Sequence, residues 1–407
     1  MLKLTPSPPE ASLTIIMSTQ NVLLAMVAAA ATQTVRAYEG DMALRVLDPA
    51  VAAAKGAACL AGTPPGYYYR EGENKTAFKI HLQGGGWCFS MQDCYWRSQS
   101  VLGDSSLWAP VSNGTALATQ GLLSNDPAVN PRTYDWTDIY VMYCNGASWT
   151  SNLSDPRPYN NTPIWFRGRA NLAAVLEDMD ERWGLFSNQT TNVVLTGTSA
   201  GGLGTYVNAD FVASLLHEDT AFVAAPDAGM FLDVLSWSGE PHARELFSSG
   251  YYWLWGSQGT TNDACEAALP LQDRWQCIMP QYVMPHVTSR VYAIQSMYDQ
   301  AQIGGTFMGL PCMPVNNTPG DCDAAEINFL QQHHDFLLGN LTVLLGPKDG
   351  GWLTSCLQHE ESCRDADWTQ VKVAGTVDAM NFESYLLDGP GAVSSRRQLA
   401  EEREMER

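Results

Sequence analysis

The sequence predicts an α/β fold in which a mostly parallel sheet is flanked by helices, and three observations lead to this prediction. Short apolar runs alternate with segments of helical periodicity from about 77 to 303. A Gly-x-Ser-x-Gly motif at 197–201 lies between one such run and a helical segment. Hydrophobic residues make up 45% of the 407 residues and charged residues 16%, so the chain is able to bury a large core.

The predicted strands are short apolar runs that mostly end in small or turn-forming residues, at 78–82, 138–143, 192–196, 221–225 and 291–296. Such runs are typical of parallel strands, which are buried on both faces. Apolar residues at helical spacing predict two amphipathic helices that pack on the sheet, at 172–183 and 203–215. A third helix-like stretch covers 324–345. Because the chain shows no internal repeat and no long linker, we expect one domain at 38–388.

The two ends of the chain lie outside this predicted domain. Residues 1–37 contain an apolar run at 22–31 that is too short to cross a bilayer comfortably, and Ala37 ends a stretch that resembles a signal-peptide cleavage site. We therefore predict a secretory signal peptide at 1–37. Residues 389–407 are highly charged and lack an apolar end, so we predict a disordered tail without a lipid-anchor signal.

Cysteine and asparagine patterns favour the same extracellular location. The ten cysteines are an even number, and eight fall in close pairs at 88/94, 265/277, 312/322 and 356/363, which leaves Cys59 and Cys144 as a long-range pair. This pattern favours disulfides over metal ligands, although spacing alone leaves the connectivity open. Seven Asn-x-Ser/Thr sequons agree with a secreted glycoprotein, and they begin at Asn74, Asn113, Asn152, Asn160, Asn188, Asn316 and Asn340.

The charge balance excludes one class of partner. The chain has 23 lysine and arginine residues against 43 aspartate and glutamate residues, which gives a formal net charge of −20. Binding to a phosphate backbone requires clustered cations that release counterions, and the basic residues here form no such run. The sequence therefore excludes a nucleic-acid partner. We expect a monomer that has no membrane span.

The strongest chemical signal is the motif at 197–201, which follows the predicted strand at 192–196 and precedes the helix at 203–215. This context is typical of a nucleophile elbow. The turn is so tight that side chains at Gly197 and Gly201 would collide with their surroundings, whereas Ser199 is held above the edge of the sheet. The helix N-terminus beneath it favours developing negative charge. The pattern predicts that Ser199 is the nucleophile of an α/β-hydrolase-like enzyme.

A second motif, Gln-Gly-Gly-Gly-Trp-Cys at 83–88, follows the predicted strand at 78–82 and resembles a glycine-rich oxyanion loop. Consecutive glycines let backbone N–H groups approach a substrate. We expect Gly85 and Gly86 to donate to an oxyanion together with the N–H of Ala200. A bridge between Cys88 and Cys94 would hold this loop rigid. Taken alone, the glycines are also compatible with a flexible turn.

The acid of a catalytic triad follows the serine along the chain in enzymes of this type, and the histidine follows the acid. Asp299 comes just after the predicted strand at 291–296, where a loop at the strand end would present it. Asp227, which follows the strand at 221–225, is the alternative acid, and capping of a turn or helix is its competing role. We predict Asp299 as the acid.

Three histidines follow Asp299, and their contexts differ. His333 and His334 lie in the helix-like stretch at 324–345, where a packed or solvated histidine pair is the expected role. His359 lies between two cysteines whose bridge would fix its loop. We therefore predict His359 as the general base. A metal site at His359 and Glu360 has no second ligand motif to support it.

Seven stretches together resemble the pectin acetylesterase and Notum family. In chain order they are HLQGGGWC (81–88), YCNGASW (143–149), FRGRANLAAVLEDM (166–179), LTGTSAGGLGTY (195–206), DAGMFLD (227–233), QSMYDQAQI (295–303) and SCLQHE (355–360). The resemblance covers most of 57–387 and implies Ser199, Asp299 and His359 as catalytic, with Gly85, Gly86 and Ala200 as oxyanion donors. Three positions depart from the plant pattern, since Thr198, Asn145 and Gln83 stand where cysteine, aspartate and glutamate are common.

The resemblance implies two-step ester hydrolysis that requires no metal and no organic cofactor. Its plant branch implies acetyl groups on pectin or another cell-wall polysaccharide, and its Notum branch implies a lipid acyl group on a protein. The net charge of −20 opposes binding of an anionic galacturonan unless a patch such as Arg167 and Arg169 offsets it.

Other functions remain open at this point. A non-catalytic, secreted glycan-binding module is the alternative from a different class, and the presence of all three triad candidates disfavours it. A thioesterase or peptidase that uses the same triad is a further alternative.

Overall fold

The computed structural model describes residues 42–112, 119–305, 307–313, 322–373 and 376–390. The predicted signal peptide, almost all of the predicted charged tail and the sequons at Asn113 and Asn316 lie outside the described residues. Within the described ranges no helix is long and apolar enough to span a membrane.

A twisted layer of eight strands forms the centre of the structure, in the spatial order β1-β2-β4-β3-β7-β8-β9-β10. These strands are β1 (Ala43–Val46), β2 (Gly66–Arg70), β3 (Asn74–Leu82), β4 (Trp136–Val141), β7 (Asn192–Thr198), β8 (Ala221–Asp227), β9 (Arg290–Ser296) and β10 (Gly350–Thr354). Two small hairpins lie outside this sheet. They are formed by β5 (Arg157–Tyr159) with β6 (Thr162–Ile164) and by β11 (Lys372–Val373) with β12 (Thr376–Val377).

Every pairing from β4 through β10 is parallel, whereas β1 and β2 are antiparallel additions at one edge. The five predicted strands are confirmed, and the mostly parallel sheet is confirmed with them. The register brings the carboxyl ends of neighbouring strands level, because Leu82 pairs with Gly197, and Thr198 pairs with Asp227. Residues that follow these strands therefore meet at one edge of the sheet.

Helices cover both faces of the sheet. They are α1 (Pro49–Ala54), α2 (Met91–Arg97), α3 (Gly168–Trp183), α4 (Ala200–Leu215), α5 (His242–Ser249), α6 (Asp263–Ala268), α7 (Pro280–Val283), α8 (Gln300–Ile303), α9 (Ala324–Leu344), α10 (Asp365–Gln370) and α11 (Asp378–Asp388). Short 3₁₀ turns occur at Ser105–Leu107, Gly121–Leu123, Leu271–Ile278 and Met284–His286, and a π-helical turn occurs at Gly250–Leu254. The three helices predicted from periodicity correspond to α3, α4 and α9.

Alternate residues of β7 enter different hydrophobic clusters. Val193 and Leu195 pack with the apolar side of α3, whereas Val194 packs with α11 on the other face. This two-sided burial is the reason why the strand reads as a continuous apolar run in the sequence.

Four disulfides join the expected pairs, Cys59–Cys144, Cys88–Cys94, Cys265–Cys277 and Cys312–Cys322. The expected pair 356/363 is wrong, because both cysteines are free thiols. The two ends of this segment are fastened to different strands. The carbonyl of Cys356 accepts a hydrogen bond from Ser296 at the end of β9, and Ser362 donates to Asp227 at the end of β8. These anchors direct the two thiols to different surroundings.

Candidate active site

Ser199 lies in the sharp turn between β7 and α4. Its backbone has φ 57° and ψ −121°, a strained combination for a residue with a side chain, and only 7% of its surface is exposed. Its N–H donates to the carbonyl oxygen of Asp227 at the end of β8, at 3.0 Å. The turn thus has the geometry of a nucleophile elbow, as the motif predicts.

Gly201 explains why the motif requires a small residue after the serine. A Cβ atom at this position would collide with the carbonyl group of Leu82, the last residue of β3. A Cβ atom at Gly197 would lie 2.6 Å from the carbonyl oxygen of Gly201. The two glycines therefore let the start of α4 lie directly against the end of β3.

His359 and Asp299 come together as the sequence predicts. Nδ1 of His359 lies 2.7 Å from Oδ2 of Asp299, whose side chain is 2% exposed. The other oxygen of Asp299, Oδ1, accepts a hydrogen bond from the N–H of Gln302 at 3.0 Å, so the carboxylate is held by the start of α8. With Nδ1 facing a carboxylate, Nε2 is the nitrogen that is left to accept a proton.

The surroundings of His359 favour its protonated form. Burial lowers the pKa of the imidazole, but Asp299, Glu360 and Asp227 outweigh it and raise the pKa to about 9. An imidazole that is strongly stabilised as a cation is a good acceptor for the proton of an attacking serine. It also has to be neutral before it can accept that proton.

The alternative acid, Asp227, has a different partner. Oδ2 of Asp227 accepts hydrogen bonds at 2.7 Å from both the N–H and the hydroxyl of Ser362, and its side chain is fully buried. Burial raises the pKa of Asp227 to about 6. This residue fastens the segment that follows His359.

The alternative histidines lie within α9, as expected from their helical context. Nε2 of His333 lies 3.3 Å from Nε2 of Gln302, and burial lowers the pKa of this imidazole to about 4. The ring of His334 stacks on Tyr298 with 5.2 Å between centroids. Both side chains are buried, which agrees with a packing role.

The glycine loop after β3 takes a backbone path that few other residues adopt. Gly85 has φ 127° and Gly86 has φ 66°. Among the described residues, no acceptor receives a hydrogen bond from the N–H of either glycine. Two donors on a loop next to the elbow are what an oxyanion hole requires.

Arg97 holds this glycine loop, a role that sequence reasoning missed. Its Nη2 donates to the carbonyl oxygens of Gly85, at 2.8 Å, and Gly86, at 3.5 Å. The guanidinium lies over the ring of Tyr143, 5.0 Å from its centroid. The Cys88–Cys94 bridge connects the loop to α2, the helix that ends at Arg97. The carbonyl of Gly85 shares a peptide unit with the N–H of Gly86, so this contact orients one of the two expected donors of the loop.

Ser148 joins the glycine loop to the elbow and was also missed. Its hydroxyl donates to the carbonyl oxygen of Ala200 at 2.6 Å and accepts from Nε1 of Trp87 at 2.8 Å. Ser148 belongs to the stretch YCNGASW, which carried the family resemblance without an assigned role. In this turn Asn145 accepts from the N–H groups of Ala147 and Trp149.

A group of aromatic rings, which we call the aromatic cluster, lies beside the site. It consists of Trp87, Phe89, Phe231, Phe247, Trp255 and Phe307. Trp87 follows the glycine loop directly, and its ring lies 4.8 Å from that of Phe231. Phe231 in turn lies 6.5 Å from the imidazole of His359, between ring centroids. The cluster therefore extends from the oxyanion loop to the base.

Other candidate sites lie elsewhere in the described part of the chain. One group of three possible metal ligands comes together there, at Cys312, Cys322 and Glu326, but the two cysteines are joined in a disulfide and offer no thiolate. A cavity of about 450 Å³ lies along α4, next to Arg169 and Asp210, and none of the predicted triad residues lines it.

The chain is similar to known esterases over most of its length. The sequence profile of the pectinacetylesterase family matches residues 36–388. Pectin acetylesterase 5 of Arabidopsis thaliana is 29% identical over 327 residues, which cover 78% of this chain and 74% of that protein. The palmitoleoyl-protein carboxylesterase notum1a of Danio rerio is 28% identical over 331 residues, covering 78% of this chain and 61% of that protein.

A solved structure agrees with the fold. The Wnt deacylase Notum from Drosophila superposes with a TM-score of 0.72 at 21% sequence identity, and the match covers 85% of this chain and 92% of that chain. This likeness establishes the α/β-hydrolase-like architecture. The match of the profile to most of the sequence establishes more: the chain belongs to the pectinacetylesterase family of carboxylic ester hydrolases.

Proposed function

We propose that the protein is a secreted serine esterase that removes acetyl groups from a cell-wall polysaccharide such as pectin. The observation that supports a Ser-His-Asp mechanism is the 2.7 Å contact between His359 and Asp299, formed at the sheet edge that also holds Ser199 in its strained turn. The four disulfides are typical of an oxidising compartment and support secretion.

The reaction proceeds in two steps. Nε2 of His359 takes the proton of Ser199 as the serine oxygen attacks the acyl carbon, and the N–H groups of Gly85, Gly86 and Ala200 stabilise the oxyanion. The bond to the sugar oxygen then breaks, and His359 gives its proton to the leaving alcohol. Water attacks the acyl-enzyme with His359 again as base, which releases the acid and returns the proton to Ser199.

The aromatic cluster supports a small acyl group. Its contacting rings lie 4.8 to 6.5 Å apart between centroids, and the ring of Trp87, directly after the glycine loop, packs edge-on against Phe231, Phe247 and Phe307. Phe231, Phe247 and Phe307 are buried in this packing. A long acyl chain requires a deep apolar pocket, and well-packed rings resist the rearrangement that would open one.

The charge of the polysaccharide is a separate question. An exposed patch that includes Arg167 and Arg169 would offset the net charge, but both guanidinium groups donate to backbone carbonyls, at Leu153 and Thr260. Nε of Arg169 is buried, and burial lowers the pKa of its guanidinium to about 10. These arginines therefore do not offer an exposed patch that would offset the net charge of −20. A neutral acetylated glycan avoids the repulsion that galacturonan would meet.

The first experiment compares hydrolysis of p-nitrophenyl acetate and p-nitrophenyl octanoate by the wild type and by Ser199→Ala. We expect acetate to be preferred and the variant to lose nearly all turnover, because Ser199 forms the covalent intermediate. A preference for octanoate would favour a lipid deacylase similar to Notum. Equal rates for wild type and variant would contradict the triad and favour the glycan-binding module. Acetate release from acetylated pectin and acetylated xylan then separates anionic from neutral substrates.

A further inference from the structure

Glu360 has an unusual backbone conformation directly after the predicted base. Its φ is 67°, in the left-handed region that glutamate rarely adopts. A glycine would adopt this conformation without strain, so the side chain at this position has to compensate for an unfavourable backbone. The position of the carboxylate shows what the strained turn achieves.

The carboxylate of Glu360 lies beside the nucleophile. A Cβ atom built on Gly84 would be 3.2 Å from Oε1 of Glu360 and 3.0 Å from Cβ of Ser199. The two side chains therefore approach the same glycine, at the start of the oxyanion loop. The side chain of Thr198, the residue before the nucleophile, lowers the pKa of this carboxyl group, so it lies near the carboxylate as well. The left-handed turn thus directs Glu360 back toward the elbow.

The groups around His359 and Glu360 are mostly acidic. Asp299 at the end of β9, Glu360 on its own loop and Asp227 at the end of β8 all favour the charged form of His359. Burial raises the pKa of Glu360, while His359 and Arg364 oppose that increase and Asp299 adds to it. The negative charge of Glu360 also contributes to raising the pKa of Tyr140 and of the Cys363 thiol. Glu360 is therefore the acid next to both the base and the serine.

We propose that Glu360 is a positioning residue of the esterase site, a second carboxylate that acts through His359. It holds the loop of the base against Gly84 and Thr198, and it stabilises the imidazolium that forms when Ser199 gives up its proton. The negative charge of Glu360 keeps His359 protonated up to a higher pH. Because only neutral His359 acts as a base, the acid limb of the activity profile then lies at a higher pH than it would without Glu360. This inference rests on the proposed serine esterase mechanism, and it adds a residue that lies outside the Ser-His-Asp triad.

The test is Glu360→Gln, which keeps the size of the side chain and its capacity to form hydrogen bonds but removes the charge. We expect the acid limb of the pH profile of kcat/KM for p-nitrophenyl acetate to move to lower pH by about one unit. At pH values on the acid limb of the wild type and below it, the variant then has a higher kcat/KM than the wild type. At the alkaline plateau we expect kcat to fall, since the imidazolium loses one stabilising charge. A residue with a purely structural role would lower activity at every pH without moving the limb.

Glu181→Gln is the matched control, because it removes the same charge from an exposed position on α3. Its acid limb should coincide with that of the wild type. Thermal unfolding of both variants checks that they fold. Coincident limbs for Glu360→Gln and the wild type would overturn the proposal.

A second measurement separates this proposal from the proposed function. The imidazole of His359 is titrated by NMR in Ser199→Ala, with and without Glu360→Gln. We expect the pKa of His359 to fall by about one unit when the charge of Glu360 is removed. An unchanged titration would overturn the role of Glu360 even in an active esterase. A lack of esterase activity in the wild type would contradict the proposed function, and the titration would still report on Glu360.

Discussion

At the scale of single residues, side chains outside the proposed triad bind backbone carbonyls of the segments that carry the proposed oxyanion donors. Arg97 binds the carbonyl groups of Gly85 and Gly86, and Ser148 binds that of Ala200. The carbonyl of Gly85 shares its peptide unit with the N–H of Gly86, so Arg97 orients this proposed donor directly. The carbonyls of Gly86 and Ala200 lie in the peptide units that follow these two residues, so these hydrogen bonds fix the backbone just after the proposed donors.

Replacing Arg97 with methionine tests this arrangement. We expect kcat to fall by about 10- to 100-fold with a small change in KM. Misdirected N–H groups would weaken binding of the oxyanion in the transition state and hardly affect binding of the uncharged substrate. Steady-state kinetics with p-nitrophenyl acetate measure the effects on kcat and on KM separately. Arg182→Met is the control, since Arg182 also lies over aromatic rings, those of Tyr69 and Trp183, on another part of the molecule. A proportional loss in both variants would contradict the role of Arg97, and partial recovery in Arg97→Lys would support it.

The pairing of Asp299 with His359 could be predicted from chain order and from the position of Asp299 after a strand. The roles of Arg97 and Ser148 could not, because their partners are backbone carbonyls, which lie 11 and 12 residues from Arg97 and 52 residues from Ser148. Composition and spacing carry no signal for such contacts. Glu360 was visible only as the neighbour of His359, and its conformation was not.

At the scale of elements, the parallel strands were predictable because burial on both faces makes each one a continuous apolar run. The strands that were missed lack that signal. β1 is only partly buried, and β10 begins with two glycines, which are depleted in strands. The pair 356/363 was predicted wrongly because spacing in the sequence says nothing about anchors such as Ser296 and Asp227, which bind the two ends of the segment to different strands.

The aromatic cluster is the element-scale feature that bears on specificity. Phe307 is 8% exposed and contacts Trp87, Phe231 and Phe247, with 5.5 to 5.9 Å between ring centroids. Replacing Phe307 with alanine would leave a cavity beside the site at a cost of about 3 kcal/mol in stability. We expect the ratio of octanoate to acetate hydrolysis to rise by about tenfold or more, as apolar chains gain space.

Phe382→Ala is the matched control for this substitution. Phe382 is 1% exposed and packs with Tyr292 and Trp368 in a different hydrophobic cluster. Its loss should lower Tm similarly but leave the ratio of the two esters unchanged. A ratio that changes equally in both variants would mean that general loosening, and not the cluster, controls chain length.

At the scale of the whole molecule, buried acids make stability depend on pH. Burial raises the pKa of Asp227 to about 6 and that of Glu361 to about 8, and the pKa of His359 is raised to about 9. Between the unfolded and folded pKa values of each group, the folded protein binds more protons than the unfolded chain. The contributions of Asp227 and Glu361 to stability are therefore complete only at or below the ordinary carboxyl pKa range, and that of His359 only below the ordinary imidazole pKa; each is lost as pH rises through the folded pKa.

We expect Tm at pH 9 to be lower than at pH 5 by about 3 °C or more, measured by calorimetry at constant ionic strength. Acids with a lowered pKa, such as Asp178 and Asp210, lose their contribution only at pH values below the ordinary carboxyl range. Glu361→Gln should flatten the decline, because a neutral amide replaces a carboxyl that has to ionise while buried. A Tm that rises from pH 5 to pH 9 would contradict the assignment.

Activity should change in the opposite direction, since His359 has to lose a proton before it can act as a base.

Asp227 links the turn that carries Ser199 to the segment that follows His359. Its backbone oxygen accepts from the N–H of Ser199, and its side chain accepts from Ser362, three residues after the base. One residue thus serves as a common reference point for segments that lie far apart in the chain. A displacement of β8 that keeps these contacts would move Ser199 together with the segment that follows His359, so the proposed proton transfer between the two would tolerate it. A motion that breaks the contacts of Asp227 would remove this link between the two segments.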